Sequence, residues 1–144
     1  MEKFPHGDPP TRAEFERCRN WLKNFLHREV RSRLGPALKK EAGEIRLVGT
    51  GGTTSILARM ENKLDRFDRE KIERTVLSFE QVVAHRKNLW KLPLAERKEI
   101  PGLPKLRADV ILTGVLIFEA VMEEFNFQQL RVSTRGLRFA AVMD

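Results

Sequence analysis

The segment Ile45-Arg46-Leu47-Val48, followed at once by Gly49-Thr50-Gly51-Gly52-Thr53, constrains this chain more than any other. Four residues of β-prone character lead into three glycines in four positions, and Ser55 to Glu61 then carries helical spacing. The order reads as strand, glycine-rich turn, helix. It commits the chain to an α/β layer, because a helix that follows a strand through a tight turn must pack back on the sheet. It also aims backbone N–H groups and the positive end of a helix at one point, a geometry that suits an anion. Thr50, Thr53, Thr54 and Ser55 can add hydroxyl donors there. The same glycines also suit a tight, closely packed strand-to-helix connection with no ligand, and the residues alone leave both readings open. No Gly-Lys-Ser/Thr follows the turn, so it is not a Walker A loop.

A second strand is expected at 130–133, Leu-Arg-Val-Ser. Helices between the two strands predict a right-handed crossover and a short parallel pair. Thr11 with Glu14, and Ser78 with Gln81, have the spacing of capping boxes. The first opens a helix along Phe15, Cys18, Leu22, Phe25 and Leu26, which Gly35-Pro36 is expected to stop. The second opens a helix to about residue 90, ended by Pro93. Residues 65–74 are charged and read as a loop with at most one helical turn. Residues 107–125 are expected to form a deeply buried helix, apolar nearly all round, ending at Asn126. Gly136 marks a turn before a short helix over 137–143. The fold class is thus α/β and mostly helical, with a short parallel strand pair and about five helices. Two strands make a thin sheet, so the layer is expected to be partial.

The 144 residues suit a single domain, and a hydrophobic content of 41% allows a core without disulfides. Cys18 is the only cysteine, which excludes an internal disulfide or a thiol-rich zinc site. Met1 to Pro10 has no apolar run of the signal-peptide kind, and 110–121 is too short to span a bilayer. A cytoplasmic protein with no membrane contact is expected. The formal charge of +7 favours polyanionic partners without choosing among them.

Several further segments occur in a telling order. They are Leu92-Pro93-Leu94-Ala95-Glu96-Arg97-Lys98, Ile100-Pro101-Gly102-Leu103, Arg107-Ala108-Asp109-Val110-Ile111-Leu112-Thr113-Gly114 and Val132-Ser133-Thr134-Arg135-Gly136-Leu137-Arg138. With the glycine-rich turn, this ordered set resembles the exopolyphosphatase / guanosine pentaphosphate phosphohydrolase (Ppx/GppA) family over nearly the whole chain. The resemblance implies part of an actin-like ATPase (ribonuclease H-like) domain, and places residues 1–144 as the C-terminal part of the family's second such domain. It implies removal of terminal phosphate from polyphosphate or guanosine pentaphosphate, with magnesium. The family's phosphate loops and its carboxylate base precede the matched region, so this chain alone is expected neither to turn over nor to hold metal. Two departures stand inside the match: Ile72-Glu73-Arg74 where Val-His-Gly is frequent, and Phe139-Ala140 where Glu-Gly is frequent.

The resemblance makes Gly49, Thr50, Gly51, Gly52 and Thr53 candidates for lining a phosphate or nucleotide cleft. Arg107 and Arg138 are candidate phosphate ligands, while Asp109 serves either to orient Arg107 or to favour a helix start. No catalytic residue is assigned. His6, His27 and His85 lack ligand spacing. Cys18 falls on an apolar helix stripe, and Trp21 and Trp90 read as packing residues rather than a base-stacking platform. Three functions compete: an enzyme part, a non-catalytic module for polyphosphate or a guanosine polyphosphate, and an interaction protein. The last would use an exposed strand edge to take a second copy or a missing N-terminal half. No nucleic-acid motif is present.

Overall fold

In a computed structural model, residues 4–40, 45–136 and 139 are described. A first helical arm comprises α1 (Arg12–Phe25), a π-helical turn (Leu26–Val30) and α2 (Arg31–Lys40). Thr11 caps α1 in the expected box: its hydroxyl accepts from the Glu14 N–H, while Glu14 accepts from the Thr11 N–H at 2.7 Å. Cys18, Leu22 and Leu26 carry the buried stripe. The helix does not stop at Gly35-Pro36: Pro36 lies inside α2. No residue of α2 is buried, so the helical hydrogen bond that Pro36 cannot donate is lost at little cost.

The sheet holds β1 (Leu47–Thr50), β2 (Val76–Ser78) and β3 (Gln129–Ser133), in the order β1-β3-β2. The expected parallel pair is present, with Leu47 opposite Leu130 and Gly49 opposite Val132. A third strand joins it: β2 runs antiparallel to β3, with Leu77 opposite Leu130. Alternation sends Leu77, Leu130 and Val132 into the core and leaves Val48, Val76 and Arg131 on an exposed face.

Helices α3 (Gly52–Glu61), α4 (Arg69–Glu73), α5 (Phe79–Lys91), α6 (Leu94–Arg97) and α7 (Ile111–Phe125) complete the layer. Ser78 caps α5 in its predicted box, and Asn126, at φ 58°, closes α7 in the left-handed conformation. Helix α7 buries Ile111, Leu112, Val115, Leu116, Ala120 and Met122. Its one buried carboxylate, Glu119, receives both Arg86 Nε at 2.6 Å and Arg86 Nη2 at 3.0 Å. That guanidinium also lies 4.7 Å from the Phe15 ring centre, which links α1 to α5 and α7. The helix expected from residue 107 begins only at Ile111, because Lys105–Arg107 forms a 3-10 turn. Pro104 enters that turn and Asp109 folds back on the Val110 N–H at 2.9 Å. Among the described residues, no helix is long and apolar enough to cross a membrane.

Candidate phosphate-binding cleft

Helix α3 begins where β1 ends, and Gly51 makes the junction at φ 99°, ψ −169°. A side chain disfavours that backbone, so glycine is required for the turn itself. In front of Gly51 and Gly52 there is room: a Cβ built on either meets no atom within 4 Å. Gly49 differs. A Cβ there would lie 2.4 Å from Thr54 Cγ2 and 2.9 Å from Leu130 Cδ1, so this glycine serves packing between β1, α3 and β3. The turn therefore divides into a closed part, Gly49, and an open part, Gly51-Gly52.

The first N–H groups of an α-helix have no carbonyl partner within it. Here the earliest ladder bond is Ser55 N–H to the Gly51 carbonyl, at 3.2 Å. The same carbonyl accepts from the Thr54 hydroxyl at 3.2 Å and the Ser55 hydroxyl at 3.0 Å. Both hydroxyls donate their protons to the turn's own backbone, so backbone N–H groups, with the helix dipole behind them, are donors α3 still has to offer. Thr53 packs against α7: a Cβ on Gly114 would come within 2.5 Å of its hydroxyl oxygen.

The open glycines front a cleft of about 480 Å³ between α3, the 3-10 turn and the end of β3. Gly51, Gly52 and Ser55 line one side, Arg107 and Leu106 the second, Thr134 and Gly136 the third. A smaller hollow of about 190 Å³ brings Gly52, Thr53 and Arg107 together. Arg107 borders both spaces, is exposed, and has no carboxylate partner among the described residues. Arg59 also lines the cleft, but its guanidinium is engaged by the Leu64 and Asp65 carbonyls at 3.4 and 3.1 Å. Leu106 is 94% exposed and Phe67 61%, so the mouth has apolar rims.

Glu73 fixes the third wall. Its Oε1 accepts from the Thr134 N–H at 2.7 Å, from the Thr134 hydroxyl, and from the Ser133 hydroxyl at 3.4 Å. The hydrogen bond from the Thr134 hydroxyl, more than any other influence, holds this carboxyl below the usual range. Among the described residues, no three His, Cys, Asp or Glu side chains converge to hold a metal ion.

Of the residues singled out in the sequence, the structure gathers Gly51, Gly52, Thr53 and Arg107 around these spaces. Gly49 is buried behind them, and Thr50, the last residue of β1, lines neither. Asp109 lies outside α7 and makes no contact with Arg107 among its hydrogen bonds. Arg138, and the helix expected over 137–143 apart from Phe139, fall outside the described residues. Sequence reasoning passed over Arg59, Phe67, Leu106 and Thr134. The bulky apolar residues within the polar stretches 65–70 and 104–109 were the available signal.

A strand, an open glycine turn and a helix N-terminus thus border the same cleft as an arginine with no carboxylate partner among the described residues, a geometry that suits an anion. The chain belongs to the Ppx/GppA phosphatase family, whose model matches residues 1–144. The Ppx/GppA phosphatase of Aquifex aeolicus superposes with a TM-score of 0.78 at 30% identity, over 96% of this chain and 43% of that one. An exopolyphosphatase from Cytophaga hutchinsonii superposes with a TM-score of 0.66 at 26% identity, over 92% of this chain and 41% of that one. A bifunctional 3-dehydroquinate synthase/phosphatase of Fusobacterium nucleatum is 26% identical over 98 residues, 68% of this chain and 14% of that protein. The chain thus spans less than half the length of each of these relatives, and its fold is part of the Ppx/GppA actin-like fold.

Proposed function

We propose that the cleft binds the terminal phosphates of polyphosphate or of a guanosine polyphosphate. On this reading the chain is the C-terminal part of a second actin-like domain and supplies the phosphate-holding side of a cytoplasmic phosphohydrolase. One observation carries the reading: the open Gly51-Gly52 turn faces Arg107, a cation with no carboxylate partner among the described residues. Backbone N–H groups and a guanidinium neutralise phosphate oxygens, which is the largest part of what phosphoryl transfer asks of a protein.

The remaining requirement is a positioned water and a base. Glu73 is the carboxylate that reaches the cleft wall, but its oxygen is occupied by Thr134 and Ser133 and its basicity is lowered. We therefore expect residues 1–144 alone to bind without turnover. The described side chains do not fit magnesium as a cage, and the ion would arrive on the phosphate oxygens.

The test is phosphate release by the purified 144-residue chain with magnesium, from long-chain polyphosphate and from guanosine pentaphosphate, alongside calorimetric binding of each. Binding without release is the expected result. Release that survives in Arg107→Ala would defeat the reading, as would absence of binding.

The order β1-β3-β2, which gives β1 one strand neighbour among the described residues, favours a second reading, in which the β1 edge accepts a strand from another copy or from an N-terminal half of the family fold. Light scattering of the chain separates the two. A dimer whose formation leaves phosphate binding unchanged supports strand pairing as a separate property, and a monomer at high concentration excludes the self-association form.

A further inference from the structure

Among the described residues, Arg97 is the largest fully buried side chain, at 1% exposure. Its Nη2 lies 3.2 Å from Asp8 Oδ1, its Nη1 donates to the Ala108 carbonyl at 3.0 Å, and its Nε has no partner. Asp8 is half exposed, which weakens the pairing of a guanidinium taken wholly out of water. An apolar residue of similar volume is often as stable at such a place or more so, and an orphaned buried N–H adds to the cost. Stability does not account for an arginine here, so what it touches becomes the question.

The Ala108 carbonyl belongs to the residue after Arg107. The 3-10 turn carrying Arg107 is held by two backbone bonds, Arg107 N–H to Pro104 at 2.8 Å and Ala108 N–H to Lys105 at 3.4 Å. Leu106, nearly fully exposed, contributes no packing to it. Leu103 and Ala108 bury their side chains on either side of the turn, Lys105 pairs with Glu99 at 3.3 Å, and Arg97 adds the buried hydrogen bond that holds the ribbon's backbone directly after Arg107. The carboxylate that orients Arg97 also accepts the Leu94 N–H at 2.6 Å and so fixes the start of α6.

We propose that Asp8 and Arg97 are a positioning pair that sets Arg107 across from the Gly51-Gly52 turn. The segment before α1 thereby determines how well the cleft holds phosphate without touching it. This rests on the reading of the cleft as a phosphate site.

The probe is inorganic tripolyphosphate, titrated calorimetrically into the full 144-residue chain. Arg107→Ala should weaken binding by about tenfold, the loss of one charge-assisted contact. Asp8→Ala, at a half-exposed position, should weaken it several-fold, and Arg97→Met should do the same. The double variant Asp8→Ala/Arg107→Ala should bind no more weakly than Arg107→Ala alone, because one acts through the other. A merely structural role for Asp8 would make the two losses multiply, and that result overturns the pair. Amide exchange gives a second reading independent of ligand. In Asp8→Ala, exchange at Arg107 and Ala108 should accelerate while that of Leu116 in the core of α7 stays unchanged. Unaltered exchange at 107 and 108 overturns the proposal whatever the cleft binds. Failure of the unsubstituted chain to bind tripolyphosphate overturns the phosphate reading and this proposal together. Tight binding indifferent to Asp8 overturns this proposal alone.

Discussion

The two ends of α3 are built oppositely. At its C-terminal end the polar side chains of Arg59, Glu61 and Asn62 all meet protein. The Asn62 amide donates to the Ala58 carbonyl at 2.8 Å and to the Thr75 hydroxyl at 3.0 Å. Glu61 accepts from Gln81 at 2.6 Å and lies 2.7 Å from His85 Nε2, and Arg59 holds the Leu64 and Asp65 carbonyls. At its N-terminal end the Thr54 and Ser55 hydroxyls donate to the Gly51 carbonyl, two glycines stand open, and Arg107 borders the same cleft. Orphan groups at a helix terminus must find a partner, and only at the closed end does the described chain supply them. The difference separates the part of the helix that stabilises the fold from the part proposed above to meet a ligand. Substitutions at the closed end should therefore cost stability, and those at the open end should cost binding.

The largest effect should come from Gly102→Ala. Gly102 has φ 86°, and a Cβ there would sit 2.4 Å from the Arg59 carbonyl oxygen and 2.7 Å from the Met60 nitrogen. Both contacts are backbone atoms of α3, which cannot yield as a side chain would. Backbone strain and overpacking together predict a loss of about 3 kcal/mol in urea unfolding. A loss under about 1 kcal/mol would mean that the connector and α3 separate easily, and the closed end would not be closed.

Asn62→Ala should follow, at about 1–2 kcal/mol, since it deprives the buried Thr75 hydroxyl of a donor and removes a tie between the end of α3 and the residue that leads into β2. Gly52→Ala sharpens the contrast from the other end. Alanine meets nothing there and forms helix better, so stability should stay level or rise by up to about 1 kcal/mol. Binding of tripolyphosphate should fall, because the methyl group stands where phosphate oxygens approach the N–H groups. Unchanged affinity would move the ligand away from the α3 terminus.

Much of this division was legible in the sequence. The Gly49-Thr50-Gly51-Gly52-Thr53 run located the strand-turn-helix junction, but the strand expected over 45–48 is Leu47–Thr50 and the helix expected from Ser55 begins at Gly52, because Gly51 alone makes the turn. The capping boxes at Thr11 and Ser78 and the stop at Asn126 were equally direct, since each is a local hydrogen-bonding pattern. What distinguishes Gly49 from Gly51 was not legible: crowding by Thr54 and Leu130 is a tertiary contact between segments far apart in the chain. Strand β2 escaped because it is three residues long and runs straight into a capping box, so no alternation develops. The helix through Gly35-Pro36 escaped because propensity assumes an interior helix, whereas α2 has no buried residue to punish the missing bond. Helix α7 was placed too early because residues 105–107 satisfy their own backbone in a 3-10 turn.

The smallest expected effect concerns Glu73, which belongs to neither end of α3 but holds the wall that the open end faces. Its carboxyl is lowered from 4.5, first by the Thr134 hydroxyl and then by the Thr134 N–H and the Ser133 hydroxyl, against an opposing push from burial. A carboxyl lowered by folding binds its proton more readily in the unfolded chain. Its contribution to stability is thus complete above 4.5, and is lost as the pH falls through the lower folded value. Glu73→Gln should reduce stability slightly at neutral pH and flatten the acid limb of the unfolding free energy, the difference between the two forms closing as the pH falls through the lowered folded value. Glu14, also lowered, chiefly by the Thr11 N–H, contributes to the same limb and is absent from it in Glu14→Gln. The Glu73 share alone should coincide with loosening of the Thr134 amide in hydrogen exchange, since protonation removes the acceptor that holds it. An acid limb that flattens in Glu73→Gln while the Thr134 amide stays protected would detach Glu73 from the cleft wall. The open end of α3 would then face a wall held by the backbone of β3.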